Sequence, residues 1–179
     1  TQVAKRLWGV YVFLTVLLIG LLWIGPMNLY DAVNHALTAI STGGYSTKNA
    51  SIAYWHSAYI EYVITIFMFI GATNITLIYF CLNGNVKKLC RDEEFRWFFW
   101  FVWIMIGITT AWVLYTGFAT DFSSAFRKAT FQVSTLVSTC GFATENYIPW
   151  GPFFWSIALI LMFICGCAGS TCGGLKMGR

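Results

Sequence analysis

The chain has 179 residues, 58% of them hydrophobic and 10% charged, with a mean hydropathy of +0.67. A soluble domain carries about 25% charged residues; this deficit, together with nine Trp, nine Tyr and sixteen Phe to anchor at two lipid–water interfaces, excludes an ordinary soluble fold and points to a membrane protein. The net charge of +4 does not read as a nucleic-acid surface, because Lys5, Arg6, Lys87, Lys88, Arg91, Arg96, Lys176 and Arg179 fall at alternate segment ends and only Lys48, Arg127 and Lys128 on the other side, the pattern of a multi-pass protein with its basic ends in the cytoplasm.

Residues 7–25 are uncharged and apolar, and roughly 20 such residues cross a bilayer. The span starts inside, after Lys5-Arg6, and breaks at Gly25-Pro26-Met27-Asn28, where Asn28 can cap a new helix. That helix, residues 29–40, is too short to span and is expected to re-enter the membrane and stop midway. A polar stretch, residues 41–47, follows it, and residues 48–57 return to the outer face. Residues 62–86 hold no charge and are expected to form one continuous span running inward to Asn83-Gly84-Asn85. Residues 87–96 are a charged cytoplasmic connector, and 98–118 a third span running outward. Asp121 or Ser123 can cap a second short helix that ends near Val137; residues 145–150 lie outside, and a fourth span begins at Phe153 and runs inward.

The order span, half-helix, polar loop, span thus occurs twice. Ser41-Thr42-Gly43-Gly44-Tyr45-Ser46-Thr47 recurs ninety-seven positions on as Ser138-Thr139-Cys140-Gly141-Phe142-Ala143-Thr144, so that Gly44 matches Gly141, Ala32 matches Ala129 and His35 matches Gln132. Phe67-Met68-Phe69-Ile70 resembles Leu161-Met162-Phe163-Ile164 in the last spans. Repetition of this kind decides architecture: an all-α integral membrane fold of two tandem units, residues 1–86 and 98–179, joined by a connector at 87–97. A polar loop at membrane depth is tolerated where protein buries it or water reaches it, and backbone carbonyls around a glycine can replace the hydration shell of a cation. Thr42, Gly43, Gly44, Thr139, Cys140 and Gly141 are therefore the candidate ion-binding residues, with the half-helix C-termini adding partial negative charge beside the cation. An ordinary re-entrant turn packed in a helical bundle is the alternative for either loop alone.

A second polar interruption lies in the last span. Gly166, Gly169, Gly173, Gly174 and Gly178 fall within thirteen residues, with Ser170 and Thr171 among them and Lys176 just after. Such a helix is weak, each glycine costing about 1 kcal/mol against alanine. A helix-packing face, Gly169-x-x-x-Gly173, is the competing reading. A phosphate loop is not, since no lysine follows the last glycine at the required spacing. Of the six cysteines, Cys165, Cys167 and Cys172 have no histidine or acid nearby in sequence and read as small packing residues, not as a metal site or a disulfide framework. Glu61 and His56 at the outer boundary could serve acid–base chemistry, and a membrane enzyme using them and the cysteines is the alternative function; a solvated rim is the plainer reading. Asp31, Asp121 and Glu145 are outer acids that either concentrate cations or only cap helices. Asn74 and Thr73 sit mid-span, suited to bonding a neighbouring helix.

These loops resemble the filter segments of the Trk/Ktr/HKT superfamily of potassium and sodium transporters, whose subunits carry four such repeats around one pore. Residues 39–47 look like the second-repeat filter of the bacterial TrkH branch and residues 138–142 like the third. Gly166-Cys167-Ala168-Gly169-Ser170-Thr171-Cys172-Gly173-Gly174-Leu175-Lys176 resembles the interrupted helix of the third repeat, Cys172 standing where the family has a smaller residue. The resemblance implies half of a four-repeat pore for K+ uptake, with Gly166, Gly169, Ser170, Thr171, Gly173, Gly174 and Lys176 in a gating loop that leaves selectivity to a separate filter. It also implies no cofactor, K+ being the substrate; a multi-pass protein of the inner membrane; full-length subunits that pair as a homodimer; and a cytosolic, TrkA-like nucleotide-binding ring as partner. The chain opens on Thr1 and closes on Arg179 and reads as a piece of a longer subunit.

Overall fold

The computed structural model describes residues 2–178; Thr1 and the basic residue Arg179 lie outside the described residues. Helix α1 (Gln2–Ile24) is followed by the short α2 (Leu29–Ile40), whose first turn is closed by the Asn28 side chain accepting from the Asp31 N–H at 2.7 Å. A 3-10 turn (Ser51–Trp55) leads to α3 (Ala58–Ala72), and a second (Ile148–Trp150) precedes the last helix. After α4 (Ile75–Leu82) and α5 (Val86–Arg91), the Asp92 carboxylate caps α6 (Glu93–Tyr115) by accepting from Phe95 N–H at 2.8 Å. Helix α7 (Phe122–Val137) and α8 (Gly151–Phe163) complete the helices. Asp121 occupies the N-cap position of α7 without a side-chain bond, and Ser123 lies inside the helix, so neither caps it as expected.

Helix α1 and helix α6 are long and apolar enough to cross a membrane, and α3 with α4 would make a third span if taken as one bent pair. That pair corrects the expectation of a continuous span over residues 62–86: the chain direction bends by 110° between the two helices. The break falls at Thr73-Asn74, where Asn74 Oδ1 accepts from Thr76 N–H at 2.8 Å and caps α4, so Asn74 serves its own chain and not a neighbouring helix. The Asn74 cap is the local mark of the bend; a distant segment described below supplies partners for the backbone groups the break frees.

Among the described residues three apolar clusters hold the helices together, the smallest of them built from Val113, Ala119, Ala125, Trp150 and Phe154. Leu18, Leu22, Ile64, Met68, Phe131 and Phe142 bring α1, α2 and α3 against α7 and the loop after it, and Phe98, Val102, Ile106, Val133 and Leu161 join α6, α7 and α8. Facing outward are Trp8, Trp23, Trp97 and Trp100, each at least 60% exposed, as suits side chains that anchor in lipid. The ion pair of Arg127 Nε with Glu61 at 3.2 Å ties α7 to α3. After α8 the chain leaves helical geometry: Ile164–Cys165 (β1) pairs in parallel with Leu175–Lys176 (β2), a small departure from an all-α fold that closes the base of a glycine-rich loop.

Candidate functional site

Both short helices stop at the predicted loops, and the loops leave them in the same way. Thr42 and Thr139 take φ of +54° and +56° and Gly44 and Gly141 +65° and +86°. At the first loop, the Thr38 carbonyl accepts from Gly43 N–H at 2.7 Å and Gly44 N–H at 3.4 Å. At the second, the Thr135 carbonyl accepts from Cys140 N–H at 3.1 Å and Gly141 N–H at 3.4 Å. The hydroxyl of Thr38 donates to the Tyr45 carbonyl at 2.9 Å, and that of Thr135 to the Phe142 carbonyl at 3.0 Å. One threonine in each helix thus grips its loop at both ends. Sequence reasoning missed these two residues, although they too lie ninety-seven positions apart; that shared offset was the signal.

The two loops touch. A Cβ on Gly44 would stand 1.7 Å from the Cys140 carbonyl oxygen, so glycine at 44 is required by both space and φ, whereas Gly141 has open space and only its φ to satisfy. The Cys140 side chain turns away, its Sγ 3.6 Å from the Ala39 carbonyl, which leaves the Cys140 backbone as its contribution to the loop. The matched pair His35 and Gln132 is buried behind the loops. His35 Nδ1–H donates to the Asp31 carbonyl at 2.7 Å, so Nε2 accepts from the Ser46 hydroxyl at 2.9 Å, and the ring stacks on Phe142 of the other loop at 5.8 Å. Asp31 does not face water as an outer acid would: it is buried, accepting from the Thr47 hydroxyl at 2.6 Å with Lys48 Nζ at 3.6 Å. Glu145 pairs with Lys128 at 2.8 Å.

The glycine-rich segment, residues 166–174, is a loop and not a helix, which overturns the Gly169-x-x-x-Gly173 packing face. It docks into the α3–α4 break. Cys167 N–H donates to the Ala72 carbonyl at 2.9 Å, Thr171 N–H to the Gly71 carbonyl at 3.2 Å, and Ile75 N–H to the Gly169 carbonyl at 3.2 Å. The loop supplies partners for backbone groups that the break frees, and this is what makes a bend tolerable inside an apolar run. Glu94 at the start of α6 accepts from Ala168 N–H at 2.6 Å. Lys176 folds back onto the loop, donating to Ser170 Oγ at 3.2 Å and to the Cys172 carbonyl. The loop also reaches both candidate filter loops: Thr42 Oγ1 donates to the Thr171 carbonyl at 2.9 Å, and Gly173 N–H donates to Thr139 Oγ1 at 3.0 Å. Among the described residues no group of His, Cys, Asp and Glu could hold a metal ion, and Glu61, the proposed acid–base group, is held by Arg127.

Two short helices that each end at a polar, glycine-bearing loop, set among helices apolar enough to cross a membrane, mark the class as an integral membrane protein. Residues 1–179 match the family described as TrkH: Cation transport protein, and the chain belongs to that family. It is 40% identical over 182 residues to the Trk system potassium uptake protein TrkH of Escherichia coli (strain K12), covering 99% of this chain and 37% of that protein. Identity is 32% over 178 residues to the Trk system potassium uptake protein TrkI of Halomonas elongata, covering 99% of this chain and 36% of that protein. The crystal structure of the potassium transporter TrkH from Vibrio parahaemolyticus aligns with a TM-score of 0.94 at 33% identity, over 99% of this chain and 39% of that one. The chain thus spans little more than a third of the length of these relatives.

Proposed function

We propose that this chain supplies two tandem units, the second and third of four, of a pore for K+ uptake, with a filter at Thr42, Gly43, Gly44, Thr139, Cys140 and Gly141 and a gate at residues 166–176. The observation that carries the reading is the duplicated loop geometry, two strained threonine–glycine turns packed so closely that Gly44 abuts the Cys140 carbonyl. Carbonyls so arranged can offset the cost of dehydrating a monovalent cation, and the C-termini of α2 and α7 add partial negative charge. No chemical step is needed; the electrochemical gradient drives flux. The basic ends near Lys5 and Lys87 face the cytoplasm of an inner-membrane protein, the complete subunits pair, and a nucleotide-binding ring acts from the cytosolic side.

The test is Rb+ flux into vesicles carrying the full-length protein. Gly44→Ser is expected to abolish selective flux, because its Cβ collides with backbone. Gly141→Ser is expected to lower it less, its local penalty being the left-handed φ alone, about 1–2 kcal/mol. Unchanged flux in both would remove these loops from the permeation path.

A further inference from the structure

The two filter threonines are in an expensive conformation. Glycine visits the left-handed region freely, whereas a β-branched residue there is a genuine outlier. Yet threonine stands at both 42 and 139, at φ of +54° and +56°. Strain of this kind, of order 1–3 kcal/mol a residue, is a reason to ask what the side chain does. Both hydroxyls go to the same place. Thr42 Oγ1 shares its proton between the Ser41 carbonyl at 2.7 Å and the Thr171 carbonyl at 2.9 Å; Thr139 Oγ1 accepts from Gly173 N–H at 3.0 Å. One threonine donates and its twin accepts, to loop residues two positions apart. Thr171 extends the contact: its own hydroxyl donates to the Ile40 carbonyl at the end of α2, at 3.0 Å, and to Gly71, at 3.1 Å. The docked loop thereby satisfies a terminal carbonyl of the helix that feeds the filter.

We infer that Thr42 and Thr139 are positioning residues that latch the glycine-rich loop to the filter, so that the loop cannot withdraw without releasing both filter turns. Closing the gate and tightening the filter are one event. This rests on the reading of residues 166–174 as the gate. It has a consequence that an independent gate lacks: moving the loop alters ion preference even when no filter residue is changed.

The experiment is a mutant cycle in the full-length protein, reconstituted in vesicles and checked for a monodisperse fold. Three quantities are read: basal Rb+ flux, the K+ to Na+ permeability ratio, and the rate at which a maleimide modifies Cys172, which is 6% exposed in the docked loop. Valine keeps the shape of threonine and removes only its hydrogen bond. Thr42→Val and Thr139→Val are each expected to raise basal flux and Cys172 modification about fivefold, the factor for one lost hydrogen bond. Thr42→Ser and Thr139→Ser should bring both back toward the wild-type values. In a variant shortened within residues 169–173, flux should rise, the permeability ratio should fall, and adding Thr42→Val should change flux no further, because its partner is gone. If shortening raises flux but the valine variants act equally in both backgrounds, or not at all, the latch is wrong and the gate stands. If the shortened protein folds and its flux is unchanged, the gate reading fails and the latch with it. Should a valine variant fold poorly, the permeability ratio of the shortened protein decides alone: an unchanged ratio with raised flux overturns the coupling.

Discussion

Thr38 and Thr135 show how much of this site rests on single side chains outside it. Each hydroxyl holds the carbonyl at the far end of its loop, while each carbonyl holds two amides at the near end. Removing the hydroxyl leaves the amide contacts and frees the exit. Thr38→Val or Thr135→Val is therefore expected to cost about 1 kcal/mol of stability, the net worth of one hydrogen bond, and to reduce discrimination between K+ and Na+ while flux persists. Thermal unfolding and bi-ionic reversal potentials in the full-length protein check the two parts. The loops differ in one respect: Phe142 is buried against His35, whereas its match Tyr45 is 78% exposed. Of these two matched rings, it is Phe142 that stacks on His35 of the preceding half.

At the scale of elements, the α3–α4 break and the glycine-rich loop are one feature made from two distant segments. The tightest point is Gly166, where a Cβ would stand 2.3 Å from the Ala72 carbonyl oxygen, with the Ala72 Cα and carbonyl carbon at 3.0 Å. The obstacle is backbone, so no rotamer change relieves it. Gly166→Ala is expected to weaken docking by about 1–3 kcal/mol, as overpacking does, and so to raise the open-to-closed ratio about fivefold or more. Basal Rb+ flux checks this; flux at or below the wild-type level in a folded protein would show that docking at Ala72 does not limit conduction. Gly107, in the middle of α6, has nothing within 4 Å of its Cβ position, so Gly107→Ala is the control for substituting glycine as such.

Across the whole molecule, the half built from α1–α3 is joined to the half built from α6–α8 by the Glu61–Arg127 pair, by Phe131 and Phe142 in the first apolar cluster, and by Ala53 N–H donating to the Ala143 carbonyl at 3.2 Å. The last contact puts the 3-10 turn after the first loop beside the exit of the second. Both exits should then lie on one side of the membrane, opposite Lys5 and Lys87. With cysteine placed at Asn49 and at Asn146, both exposed, an impermeant reagent added outside intact cells should label each. Labelling only after permeabilisation would invert the orientation.

The sequence by itself determined the membrane class, the length of α2 and the twin loops. Residues 29–40 were legible because their signals are local: a capping Asn28, an apolar stretch too short to span, and a polar stop at Ser41. The offset of ninety-seven positions exposed the glycines for the same reason, since a turn with positive φ writes itself into the residue that occupies it. Only the tertiary structure decided that residues 62–86 break in two, because the amides and carbonyls that make the break tolerable come from a loop about ninety residues further along the chain. The burial of Asp31, the folding of Lys176 back onto its own loop, and the hydroxyl contacts of Thr42 and Thr139 share that origin. A hydrogen bond to a distant backbone group leaves no periodicity and no spacing in the sequence; it exists once packing has brought the two segments within about 3 Å.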